Sequence, residues 1–154
     1  MIRLSMLVPL AVLMVSDWKS RTVGAVWLVL LFVSALATSA SHHGLRMAAT
    51  FTALNLALLI AIGAVLLVYS RLRAKRLREM LGAGDAFFFA AITPVLPPEG
   101  YLRLCIVLLL SALVLWLMLR KRLSPPNIPL VTFCGVPFAA VVIIMTILPE
   151  LWTV

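Results

Sequence analysis

Six apolar stretches divide this chain, separated by short charged or turn-forming segments. They cover residues 4–16, 22–40, 47–70, 80–96, 101–119 and 128–148. A hydrocarbon core of roughly 30 Å takes about 20 apolar residues of helix. The pattern therefore predicts six transmembrane helices, the first of them the shortest. The first stretch meets Asp17-Trp18-Lys19-Ser20-Arg21, and the second ends in Ser41-His42-His43-Gly44. The third runs into the most basic segment, Arg71 to Glu79, and the fifth stops at Arg120-Lys121-Arg122. Pro97-Pro98-Glu99-Gly100 and Ser124-Pro125-Pro126-Asn127 predict turns. Arg3 and the short first stretch have the outline of a signal peptide, but no small-residue cleavage site precedes Asp17. The stretch is expected to remain as a span.

Composition supports a single all-α, polytopic membrane domain over residues 1–154. Hydrophobic residues make up 64% of the chain, and the mean hydropathy is +1.18. Thirteen Lys and Arg against five acidic residues leave a net charge of +8. Membrane topology accounts for that surplus better than nucleic acid does. Consecutive spans alternate direction, and cytoplasmic loops carry the excess of Lys and Arg. With the N-terminus outside, the inner loops hold Lys19, Arg21, Arg71, Arg73, Lys75, Arg76, Arg78, Arg120, Lys121 and Arg122. The outer side holds Arg3, Arg46 and Arg103. Both termini are therefore expected on the outer side, and the Arg71 to Arg78 run is expected to anchor on anionic lipid. Glu79 is expected to pair with Lys75 or Arg76 along the helix surface.

This topology brings two residues to one level. Asp17 ends span one, and Asp85 lies about one and a half turns into span four. Both face the cytoplasmic end although they are 68 residues apart, and they are the only aspartates in the chain. A carboxylate at the mouth of an apolar helix is costly and marks a candidate functional site. Two carboxylates at low dielectric cannot both ionise easily, so such a pair shares a proton. One can act as general base on water while the other polarises a scissile carbonyl and protonates the leaving nitrogen. Gly82 and Gly84, just before Asp85, would let an extended substrate backbone approach. Lys19 and Arg21 are accessory candidates.

Blander readings stand beside this one. Asp17 could pair with Lys19 or Arg21 at the interface, and Asp85 could favour a helix N-terminus. His42 and His43 are expected to be solvated in the outer loop. Tyr101, Trp18 and Trp152 fit interfacial belts. No Cys/His spacing points to a metal, and no cofactor is expected. Cys105 and Cys134 fall in different spans near opposite faces and are expected as apolar fillers, not a disulfide. An ion-coupled carrier using the same carboxylates would need polar residues near the midplane, where Asn55 is the main candidate.

Gly82-Ala83-Gly84-Asp85 resembles the GxGD motif of intramembrane aspartyl proteases. Among these, type IV prepilin peptidases and archaeal preflagellin peptidases have a first aspartate at the cytoplasmic end of span one, with basic residues close behind. Asp17-Trp18-Lys19-Ser20-Arg21 looks like that segment, and Ile128-Pro129-Leu130 looks like the Ile-Pro-Leu/Phe opening of the family's last span. The resemblance implies a six-span aspartic endopeptidase of the prokaryotic cytoplasmic membrane. Asp17 and Asp85 would be its catalytic pair, with Gly82 and Gly84 as backbone support. Its partner would be a pilin-like precursor whose basic leader it cuts at the cytoplasmic face. Larger members N-methylate the new terminus with an extra domain that often carries paired Cys-x-x-Cys motifs; with only two cysteines here, cleavage without methylation is expected, as in short forms serving Tad-type pili. The chain departs from the family in two places: Phe87 stands where many members have lysine, and Thr22-Val23-Gly24 replaces a frequent Ile-Pro-Asn. A catalytically inactive scaffold for pilus assembly is the alternative from this side.

Overall fold

A computed structural model describes residues 2–20, 22–72, 82–119 and 129–147. Arg21, Glu79, Ile128, Glu150, Trp152 and the basic loops at 73–78 and 120–122 lie outside the described residues. Among the described residues all regular structure is helical. A 3-10 turn, Ile2–Met6, leads into α1 (Leu7–Ser20), where Pro9 is tolerated because an N–H in the first turn has no acceptor within the helix. Then follow α2 (Ala25–His43), α3 (Leu45–Leu72), α4 (Ala83–Ala91), α5 (Pro98–Leu119) and α6 (Leu130–Ile147). Four of them, α2, α3, α5 and α6, are long and apolar enough to cross a membrane.

The surface is inverted relative to a water-soluble protein. Val26, Val65, Met118 and Ile147 are each about 70% exposed on the helix exteriors, as expected where lipid replaces water. Inside, α6 packs against α1 and α5, while α2 packs against α1, α3 and α4. The core includes Leu10, Leu13, Leu31, Phe88, Ile92, Leu108 and Phe138. One aromatic contact ties α4 inward, and a second lies within it. Phe88 meets Phe89 edge-to-face at 5.6 Å and meets Phe138 of α6 at 6.3 Å.

Several expectations are corrected. The fourth stretch is not one helix to residue 96. It stops after nine residues at Ala91, a rise of only about 14 Å. Pro94 explains the stop: it has no N–H, and it disfavours helical geometry at Thr93. Buried turns follow through residues 92–96, with Val95 N–H donating to Ile92 O at 3.2 Å. Irregular backbone at this depth needs internal partners. Asn55 of α3 supplies them, its Nδ2 donating to both Thr93 O and Leu96 O at 2.8 Å. Tyr101 adds a third, its hydroxyl donating to Phe89 O at 2.9 Å. Tyr101 is thus fully buried instead of lying in an interfacial belt.

The predicted turn at residues 97–100 is also displaced, since Pro98 opens α5, a first-turn position that suits proline. His42 and His43 close α2 instead of sitting in a loop. Gly44 alone connects α2 to α3, at φ 81° and ψ 156°, a region open essentially to glycine only. His43 packs edge-on against Phe51 at 5.4 Å. Cys134 donates to Leu108 O at 3.6 Å, one turn along α5 from Cys105. The thiols are therefore not at opposite faces, yet both are free.

Candidate active site

Asp17 lies in the last turn of α1 and is 6% exposed. Among the described residues its carboxylate forms no ion pair. The only salt bridge among the described residues joins Arg103 to Glu99, far along the chain and exposed. Lys19 is exposed, and Arg21 lies outside the described residues. The partner of Asp17 is Thr132, 115 residues away. The Thr132 backbone N–H donates to Asp17 Oδ2 at 2.9 Å, and Thr132 Oγ1 lies 3.1 Å from the same oxygen.

The reason is visible in how α6 begins. Its first intrahelical bond is Phe133 N–H to Pro129 O, at 3.0 Å. The N–H groups before Phe133 have no place in the helix ladder. One of them, from Thr132, points at a carboxylate, where the positive end of the α6 dipole also favours negative charge. Asp17 therefore caps a helix that is not its own. Gly135 allows the approach: a Cβ there would fall 2.6 Å from Met14 Cγ and 2.8 Å from Met14 Sδ.

Asp85 stands in the first turn of α4, not one and a half turns inside, because that helix starts at Ala83. Its side chain folds back over Gly82, and its backbone N–H donates to Gly82 O at 3.1 Å. A Cβ on Gly82 would lie 2.7 Å from Asp85 Oδ2. Gly82 thus leaves room for the carboxylate that follows it. Gly84 serves a different contact, since a Cβ there would meet Val23 Cγ2 at 2.7 Å. Val23 occupies that side of Gly84, where an approaching substrate backbone was expected.

Val23 belongs to the linker between α1 and α2. Ser16 Oγ donates to Thr22 O at 2.8 Å, and Ser20 and Thr22 share a hydroxyl bond at 2.7 Å. The α1 end, the linker and the α4 start are therefore fastened together. The result is that Asp17 and Asp85 lie within electrostatic reach of each other. Cys134 lies within reach of both, and Trp18 stacks at a tilt with Phe133 at 6.5 Å.

Among the described residues no cluster of three or more His, Cys, Asp or Glu could hold a metal ion. Phe87, at the position where lysine was noted as frequent, is 63% exposed. Asn55, the main midplane candidate for a carrier, is committed to the broken backbone after α4. Thr132 is the residue that sequence reasoning missed. The only signal near it was Pro129-Leu130, three and two residues earlier. No protein-family model, curated protein or solved structure matches the chain.

Proposed function

We propose that this chain is a membrane-embedded aspartic endopeptidase that removes the basic leader of pilin-like precursors at the cytoplasmic face of a prokaryotic inner membrane. The observation that carries the reading is that two aspartates 68 residues apart lie within electrostatic reach of each other, one of them buried with no ion pair among the described residues. In this reading α1 with its leading turn, and α4 with the buried turns after it, complete six passes with both termini outside. Asp17 and Asp85 share one proton. The ionised carboxylate takes a proton from water as the water oxygen bonds to the scissile carbonyl carbon. The protonated one gives its proton to the carbonyl oxygen. Collapse of the tetrahedral species breaks the C–N bond, and the leaving nitrogen takes a proton from the pair.

The test is co-expression with a precursor carrying a basic leader, followed by its processing. Asp17→Asn and Asp85→Asn should each abolish cleavage. Normal processing by either variant sinks the mechanism. If pilus assembly needs the protein but neither aspartate, the scaffold reading replaces this one.

A further inference from the structure

We propose that Thr132 is the positioning residue for Asp17, a hydroxyl that fits both protonation states the carboxyl passes through in each turnover. This rests on the peptidase reading above and deepens it. Thr132 Oγ1 has two oxygen neighbours, Asp17 Oδ2 at 3.1 Å and Met14 O at 3.0 Å. A threonine hydroxyl has one proton and two acceptor lone pairs. Met14 O, a carbonyl, can only accept. When Asp17 is ionised, the hydroxyl proton turns to Oδ2 and adds to the N–H bond from the same residue. When Oδ2 bears a proton, the hydroxyl turns to Met14 O, and its lone pair accepts from the carboxyl. Rotation about one C–O bond exchanges the two arrangements, and no heavy atom has to move.

Hydrolysis by a proton-sharing pair takes each carboxyl through both forms, whichever one acts as the base on water. A rigid donor such as a second N–H would favour the ionised form alone. A hydroxyl between a carboxylate and a fixed carbonyl favours neither strongly and holds Oδ2 in place in both. Both hydrogen bonds from Thr132 go to Oδ2, and Oδ1 is the oxygen left for water, substrate or Asp85.

The experiment uses the full chain reconstituted in lipid vesicles and a precursor with a basic leader. Thr132→Val keeps the backbone N–H and the branched shape but loses the hydroxyl, and Thr132→Ser keeps the hydroxyl. The Val variant should lower kcat about ten- to a hundredfold, the size of a hydrogen bond to a charged group. KM should stay within about twofold, because ground-state binding does not involve Thr132. The Ser variant should recover most of the rate. If the Val variant does not accumulate in the membrane, Thr132→Cys, with its weak donor, takes its place under the same expectations. A normal kcat in the hydroxyl-free variant, or a Ser variant as slow as Val, overturns the proposal. Asp17→Asn runs in the same assay: if it still cleaves, the peptidase reading itself fails, and if it is dead while Thr132→Val is normal, only the role of Thr132 fails.

Discussion

Gly84→Ala should pull the two aspartates apart while leaving the protein folded. The new Cβ would lie 2.7 Å from Val23 Cγ2 and 3.2 Å from Val23 Cβ. Apolar carbons rest about 3.5–4.0 Å apart, so a gap of about 1 Å must open. Val23 is β-branched and stiff about χ1, and its linker is tied by Ser16, Ser20 and Thr22. The displacement therefore falls on the first turn of α4, which carries Asp85. Overpacking of this kind costs about 1–3 kcal/mol, and alanine returns about 1 kcal/mol of helix propensity. The net loss is about 0–2 kcal/mol, so thermal unfolding in detergent should shift by only a few degrees. Catalysis responds more steeply, because a misplacement of about 1 Å can cost about a hundredfold. Precursor cleavage by the reconstituted variant should fall about ten- to a hundredfold. Adding Val23→Ala removes the obstructing Cγ atoms and should restore most of the rate. Normal cleavage by Gly84→Ala, or a double variant as slow as the single one, refutes the claim that this contact sets the separation.

Three further outcomes are expected. Asn55→Leu leaves Thr93 O and Leu96 O without their donor and should lower stability by about 2–4 kcal/mol, measured by thermal unfolding in detergent. Gly44→Ala meets no atom within 4 Å, so its whole cost is backbone strain, about 1–3 kcal/mol by the same measurement. Tyr101→Phe removes one buried hydrogen bond, to Phe89 O, and should cost about 1 kcal/mol while leaving cleavage kinetics near normal.

The two aspartates illustrate how far pattern carries. Asp17 was conspicuous because it ends an apolar run, and Asp85 because two glycines precede it. Their expected placement at one level rested on the alternation of spans and the charges between them. Their approach depends on Gly135 against Met14 and Gly84 against Val23, contacts between residues more than 60 positions apart. The break after Ala91 was legible, since Pro94 sits inside the fourth stretch, but hydropathy alone runs on to Leu96. The helical ends at His43 and Pro98 were hidden for a simpler reason: polar residues and prolines mark turns only when the backbone has no better use for them.

What the sequence determined by itself is the all-helical, membrane-type architecture and the two carboxylates worth pursuing, because apolar run length and the cost of a buried charge are local properties. Only the tertiary structure decided that Asp17 caps α6 through Thr132, that Asn55 supports a broken helix, and that Val23 packs against Gly84. Each depends on which helix ends meet, and packing between distant segments leaves no periodicity in the chain.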